Sequence, residues 1–408
     1  MTRRILLADA DTFYVSVARL VDPDGAGRAP LLIVGGSPTG RGVVTSASYE
    51  ARKFGVHSAM PMGRAIRLCP EATIVPVPWD ACVEMARRIR RVLSGFTPMV
   101  ETASSDEYYL DMTGTERLYK DEPLEATARR IRDTVLAETR MSMSVGGGPS
   151  KLVAKLAAGV AKPSAGKPGL GVCVVAPGGE AAFLRQFALA DLPMVGPRFQ
   201  ERLLRFNLRT VDDALAWSRA QLETWLGERE GGWLWERIRG LDDAEVATGE
   251  DPKSISRDET FAADIDDDAA LARELIALVD RATSDLRDDE LLARTVTVRI
   301  RDHDFTDRQA SRTLGEPVES ERAVHRVATE LLARLRKARP VPARLLGVAL
   351  SSLVRRDGPV QLSLMDAHSP VETDTDRKVA RVVDALRRKL GDDAVARGRP
   401  PRRRRRRE

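Results

Sequence analysis

Two acidic pairs carry the clearest chemical signal: Asp9 with Asp11, and Asp106 with Glu107. Ile5-Leu6-Leu7-Ala8 leads into the first pair, and Tyr108-Tyr109-Leu110 follows the second. An acidic pair taken alone more often marks an exposed turn. Here each adjoins an apolar run, where an uncompensated charge is costly. Carboxylate oxygens suit magnesium, which takes few protein ligands and leaves the rest to water and phosphate. Two such ions, roughly 3.5–4 Å apart, serve phosphoryl transfer from a nucleoside triphosphate. One activates the attacking hydroxyl, and the other holds the triphosphate and the leaving oxygen. Three carboxylates on two adjacent strands suffice. On a regular strand Asp106 and Glu107 would face opposite sides, so both reach a metal only where the backbone is irregular. Asp11 shares a strand face with Asp9 and is a further candidate by periodicity.

The elements that must bring these pairs together follow from hydrophobic spacing. Ile5–Ala8 reads as a buried strand with polar groups at its carboxyl end. Leu31–Val34 and Gly42–Thr45 read as short strands, and Ala81–Leu93 as a helix with a basic outer face. Glu101–Thr113 reads as strand, acidic corner, strand; Leu124–Thr139 as an amphipathic helix; Met141–Gly147 as a strand. Pro149 opens a helix running through Val160. The order β-α-β-β-α-β predicts a ferredoxin-like sheet with helices on one face. Such a sheet makes the first strand and the later hairpin neighbours across a gap of about 90 residues. Ser164–Gly169 marks a boundary, a helical region follows to about Leu241, and Asp242–Ser256 reads as a linker. A second α+β region spans Ser256 to about Arg355, with strands at Thr295–Arg301 and Leu345–Leu353 and a helix at Glu321–Lys337. Beyond it lie an amphipathic piece, Asp376–Leu390, and the run Arg402–Arg407.

The 408 residues exceed one core, and at roughly 100–200 residues per domain predict two to four. A hydrophobic share of 43% with 31% charged residues describes a chain that buries cores. The net charge of +5 leans towards an anionic partner. Only 5% of residues are aromatic, which argues against stacking on single-stranded bases as the main binding mode. Cys69, Cys82 and Cys173 are odd in number and sparse, as in a reducing cytoplasm. No cysteine–histidine cluster has zinc spacing. The N-terminal apolar run is too short for a signal peptide, and no stretch is long enough to span a membrane. A cytoplasmic monomer is the expectation.

Ile5–Tyr14, with Asp9-Ala10-Asp11-Thr12-Phe13-Tyr14 at its end, resembles the opening motif of Y-family DNA polymerases of the DinB (DNA polymerase IV) type. Ser105-Asp106-Glu107-Tyr108-Tyr109-Leu110-Asp111 resembles that family's second catalytic motif, and Val44–Val56 its fingers signature. Ser150–Ala157, followed by Lys162-Pro163, resembles its fourth motif. The resemblance holds in order from residue 5 to about 366. It implies that Asp9, Asp106 and Glu107, with the carbonyl of Ala10, ligate two magnesium ions, and that Asp11 only supports them. It places Phe13 and Tyr14 under the incoming sugar, with Tyr14 as steric gate against a ribose 2′-hydroxyl. Tyr49, Arg52 and Lys155 would hold the triphosphate. Tyr49 and Arg52 share a face if Ser48–Val56 begins a helix. Ala8, Ala10 and Thr12 depart from residues common in the family, and Tyr108-Tyr109 is more aromatic than usual.

The same resemblance reads Leu192–Arg198 as a helix-hairpin-helix turn contacting DNA through Gly196 and Arg198, with Met194 where a glycine is common. In Thr295–Arg301 one face carries Val296, Val298 and Ile300. The other carries Thr295, Thr297, Arg299 and Arg301, suited to a duplex backbone. Gln361-Leu362-Ser363-Leu364-Met365-Asp366 resembles a sliding-clamp (beta subunit) peptide, with Gln361, Leu362, Leu364 and Met365 as contacts. The terminal arginines would add salt-dependent affinity for nucleic acid.

The implied architecture is α+β and multidomain, a right hand with a ferredoxin-like palm (1–13 and 80–166) and small fingers (14–79). A helix-hairpin-helix thumb (167–241), a linker (242–253), an α+β little finger (254–356) and a flexible tail (357–408) complete it. The implied activity is template-directed, low-fidelity synthesis past damaged bases, adding dNTPs to a primer 3′-hydroxyl on primer-template DNA. Fingers of about 65 residues leave little room for a closing helix, hence low fidelity. The competing reading is a non-catalytic DNA- and clamp-binding scaffold, against which the retained carboxylates speak. A cyclase on a similar palm would need neither Tyr14 nor the hairpin.

Overall fold

In the computed structural model the first predicted strand is Ile5–Ala10, buried at all six positions. Residues 2–163, 168–249, 252–356, 371–391 and 394–395 are described, and they fall into two units, Met1–Glu250 and Asp251–Glu408. The peptide Gln361–Asp366 and the run Arg402–Arg407 lie outside the described residues.

In the first unit Ile5–Ala10 is the centre of a five-stranded sheet. It pairs antiparallel with Glu107–Asp111 on one side and Met143–Gly148 on the other. Val100–Thr102 and Val172–Val174 form the edges. The predicted neighbourhood across the long sequence gap is present, and so is the ferredoxin-like strand order. Alternation along Ile5–Ala10 explains why no position is exposed. Leu6, Ala8 and Ala10 pack with Ile89 and Leu93 of helix Trp79–Ser94 and Ile131 and Val135 of helix Leu124–Thr139. Ile5 and Leu7 pack with Tyr109 and with Ala154 and Ala158 of helix Lys151–Ala161. Helices therefore cover both faces, not the single face predicted. The third helix lies so close because Gly146 has no side chain: a Cβ there would stand 2.0 Å from the Ala158 nitrogen.

Helix Phe13–Val21 leaves this sheet for a smaller, three-stranded one made of Val44–Ala47, Leu32–Gly35 and Thr73–Val75. Between Leu32 and Val75 the longest helix, Met62–Leu68, has seven residues. After Val174 come short helices, from Glu180–Leu184 to Glu228–Arg237, around their own apolar core. The segment predicted as a linker is attached at its start. Arg3 donates to the carbonyls of Asp242 and Ala244, the Leu152 N–H donates to Asp242, and Val246 is buried against Ile5 and Leu7.

The second unit repeats the β-α-β-β-α-β order in a four-stranded antiparallel sheet. Its strands are Asp307–Val318, Leu291–Asp302, Ala343–Arg355 and Ser254–Ile265. Helices Asp268–Asp288 and Glu321–Ala338 share its core. Asp374–Leu390, expected within a flexible tail, is instead a helix docked on this unit. Buried charge pairs hold it: Arg287 donates to both carboxylate oxygens of Asp384, at 2.6 and 2.8 Å. Glu372 accepts from the backbone N–H groups of Glu319 and Ser320. Sequence periodicity registers this helix as amphipathic but cannot show where its charges find partners. Among the described residues no helix is long and apolar enough to cross a membrane.

Candidate active site

Period two places Asp9 on the same face as Ile5 and Leu7, beneath the helix Lys151–Ala161. It sits opposite Glu107 in the ladder. Asp106 is not in the strand. It ends the Ala103–Asp106 turn, where the Ala103 and Ser104 N–H groups both donate to the Glu107 carbonyl. The Asp106 carbonyl accepts from the Ala10 N–H at 2.9 Å. The Ser104 hydroxyl donates to Asp106 Oδ1 and accepts from the Asp106 and Glu107 N–H groups. This turn is a backbone irregularity at the place where two adjacent carboxylates would need one to reach a common ion.

Asp9 is 5% exposed. Burial pushes its carboxyl up to about 6; the Lys162 ammonium opposes this, and the charges of Glu107 and Asp106 add to it. Lys162 Nζ lies 2.6 Å from Asp9, and Lys155 Nζ lies 2.8 Å from Glu107. Both lysines come from the helix held against Gly146 and from its C-terminal cap. Asp11 has a different environment. It accepts from the Ser142 and Ser144 hydroxyls at 2.7 and 2.8 Å, which occupies both its oxygens. That favours the supporting role over a ligand role.

A cavity of about 240 Å³ opens beside these groups, bordered by Ala10, Phe13, Tyr14, Tyr49, Arg52, Asp106 and Lys162. Tyr49 and Arg52 belong to a short helix capped by Ser48, and the guanidinium lies 5.3 Å from the Tyr49 ring centroid. The Arg52 Nε donates to the Ala47 carbonyl. The Tyr14 hydroxyl is 3.0 Å from Ser105 Oγ, and its ring meets Phe13 and Trp79 edge-on. Thr12, immediately before helix Phe13–Val21, is left-handed at φ 46°, a costly conformation for a β-branched residue that turns the chain from strand to helix.

Lys155 does not line this cavity, whereas Lys162 does. Lys155, which the resemblance placed on the triphosphate, pairs with Glu107 here, while Lys162, to which it gave no role, borders the cavity. The Lys162-Pro163 motif was the available signal. Trp79 was also missed; as the first residue of a helix with no charge of its own, it gave none.

The structure also explains the tyrosine pair. Tyr108 points into the core beneath the two outer helices, its hydroxyl donating to the carbonyls of Ala86 and Ser105. Tyr109 points the other way, under the Lys151 ammonium at 4.5 Å. Farther off in the same unit, Met194 takes a left-handed φ of 74° and is 87% exposed. The expected glycine position therefore has the backbone that glycine favours. Gly196 (φ −79°) caps helix Pro197–Leu204, with Arg198 exposed in its first turn.

In the second unit Val296, Val298 and Ile300 are fully buried, as predicted. On the open face Arg299 pairs with Asp258 at 2.8 Å, and Arg301 pairs with both oxygens of Asp307. The face predicted as basic is largely self-neutralised, because Asp258 reaches Arg299 from two strands away, across Gly347, and Asp307 faces Arg301 from the strand's own hairpin.

As they stand, no three acidic, histidine or cysteine side chains among the described residues converge closely enough to hold an ion. The donor chemistry nevertheless fits hard divalent cations. Three carboxylates lie near one sheet end, and two of them are neutralised by lysine ammonium groups that a cation could replace.

A mixed sheet with strand-end carboxylates, beside a small sheet lobe and a helical cluster, is a setting suited to phosphoryl transfer. Residues 8–159 match the impB/mucB/samB family, residues 252–364 that family's C-terminal domain, and residues 190–242 the DNA polymerase-iota thumb domain. DNA polymerase IV of Dehalococcoides mccartyi (strain CBDB1) is 34% identical over 97% of both chains. That of Halorhodospira halophila is 37% identical over 86% of this chain and 95% of the relative. A chimera of the Y-family polymerases Dbh and Dpo4 superposes with a TM-score of 0.75 at 23% identity, covering 86% of this chain and 99% of the chimera. The chain belongs to the impB/mucB/samB family of Y-family DNA polymerases. It is a DNA-directed DNA polymerase of the translesion class, in a family that depends on divalent metal ions.

Proposed function

We propose that Asp9, Asp106 and Glu107, with the Ala10 carbonyl, hold two magnesium ions at the end of the central strand, as the centre of dNTP addition to a primer 3′-hydroxyl on primer-template DNA. The carrying observation is that Asp9 lies opposite Glu107 while Asp106 faces the cavity bordered by Tyr14, Tyr49, Arg52 and Lys162. When bound, the ions activate the attacking hydroxyl and neutralise charge on the triphosphate. Arg52 offers a planar donor fork, and Lys162 a point charge, to phosphate oxygens. Phe13 supports the sugar. The Tyr14 ring fills the space a 2′-hydroxyl needs, and Trp79 and Ser105 hold that ring in place.

The proposed palm is 1–13 with 80–166, the fingers 14–79, the thumb 167–241 and the little finger 254–356, joined by 242–253. Gly196, Arg198, Arg299 and Arg301 are assigned to DNA phosphates, and the peptide at Gln361, Leu362, Leu364 and Met365 to the sliding clamp. A cytoplasmic monomer completes the proposal, in keeping with three cysteines that form no disulfide.

Primer extension on undamaged and abasic templates, with magnesium and all four dNTPs, tests it. The parent should extend both, and Asp106→Ala should lose at least about a hundredfold in rate, the scale of removing a transition-state charge stabiliser. No extension by the parent, with DNA binding intact, would leave the scaffold reading standing instead.

A further inference from the structure

The helix Asp374–Leu390 has two faces of opposite character. Its inner face is spent on docking: Ala380 and Val383 are buried, Asp384 holds Arg287, Arg381 donates to Glu319, and Arg387 donates to Asp280. Asp376 and Asp384 are both buried. On the outer face Val379, Val382, Leu386 and Leu390 follow at intervals of three, four and four. That spacing forms one stripe along a helix. The four are 45%, 59%, 39% and 72% exposed. Lys378 and Lys389 flank them on the Val382 side and are exposed, while Asp374, in the first turn, is the helix's one exposed acid. The helix thus shows an apolar seam with one basic margin, its other margin being the docked face.

We propose that this face docks an acidic amphipathic helix of a partner protein. The seam offers the i, i+3, i+7 and i+11 anchors that helix-on-helix recognition uses. The basic margin selects carboxylates along one side of the partner's apolar residues. A second copy of this chain fits badly, because a two-fold pairing sets the same lysines against each other. The chain's own terminal run is arginine, of the same sign. Duplex DNA would satisfy the lysines but leave four apolar side chains against phosphates. Because the helix is already fixed by its inner charges, it loses little freedom on binding.

The full chain is titrated, in about 0.15 M salt, into two fluorescent helical peptides. Both carry leucines at the seam's spacing, one flanked by glutamates and the other by lysines. The glutamate peptide should bind, and V382E/L386E should weaken it about tenfold or more. K378E/K389E should switch preference to the lysine peptide, a gain that misfolding cannot produce. Primer extension should be unchanged in both variants. Equal binding of both peptides, or unweakened binding by V382E/L386E, would sink the proposal. Binding of phosphatidylglycerol vesicles with neither peptide bound would replace it with a membrane surface. Self-association of the parent that V382E/L386E abolishes would replace it with a second copy.

Discussion

At the scale of single residues, the site is a balance between carboxylates and two lysines. Lys162 and Lys155 each neutralise one acid, but only Lys162 also borders the cavity. Lys162→Ala should therefore raise the dNTP KM about tenfold, the worth of one charge-assisted hydrogen bond, whereas Lys155→Ala should move it less than about threefold. Single-nucleotide incorporation kinetics separate the two. Asp9, pushed up to about 6 by burial, is neutral below that pH and cannot serve as an anionic ligand. In the metal-free chain its raised value contributes stability at low pH and loses it as pH rises through about 6. Cation affinity runs the other way. It should fall about tenfold per pH unit below 6 and level off above, because the ligand must be deprotonated. Titrating magnesium into the metal-free protein at several pH values checks this; a flat profile would show that no ligand carboxylate titrates near 6.

At the scale of elements, close packing and buried ions set position. Gly146 lets a helix rest on the sheet at backbone distance, and both site lysines are consequences of that approach. In the second unit Arg287, with its side chain 2% exposed, joins Asp384 of the last helix to Glu321. Removing one member of such a network leaves buried charges unpaired. Arg287→Ala should cost about 3–5 kcal/mol and free the helix Asp374–Leu390. Urea unfolding measures the loss, and hydrogen exchange should show the helix amides deprotected before the sheet. Retained protection would mean that apolar contacts, not the ion pairs, hold the helix.

For the whole molecule the question is how a chain with a formal charge of only +5 grips a polyanion. The open face of the second unit holds its arginines in pairs. Asp258 even lies across Gly347, where a Cβ would stand 1.8 Å from its Oδ1, to reach Arg299. On the proposed contact, phosphate would displace these carboxylates. Asp258→Asn with Asp307→Asn should tighten DNA binding and steepen its salt dependence by roughly one to two units of slope, about 0.9 per released counterion. Anisotropy titrations across salt concentrations test this. An unchanged slope would show that Arg299 and Arg301 do not meet phosphate.

Sequence alone determined the strand–carboxylate motifs, the ferredoxin-like order and the buried row Val296, Val298 and Ile300, because apolar alternation and motif spacing are local properties. Resemblance alone gave Asp11 a secondary role, and the hydrogen bonds it accepts from Ser142 and Ser144 are in keeping with that proposal. Tertiary structure decided what depends on partners distant in the chain. Lys162 rather than Lys155 faces the cavity because of where a helix ends. Helices cover both faces of the first sheet because Gly146 admits the third. Arg299 is neutralised by an acid two strands away and Arg301 by one on its own hairpin. The helix Asp374–Leu390 is docked because Arg287, nearly a hundred residues earlier, meets Asp384 (97 residues apart). Charge pairing of this kind leaves no period in a sequence, since either partner alone reads as a solvated surface residue.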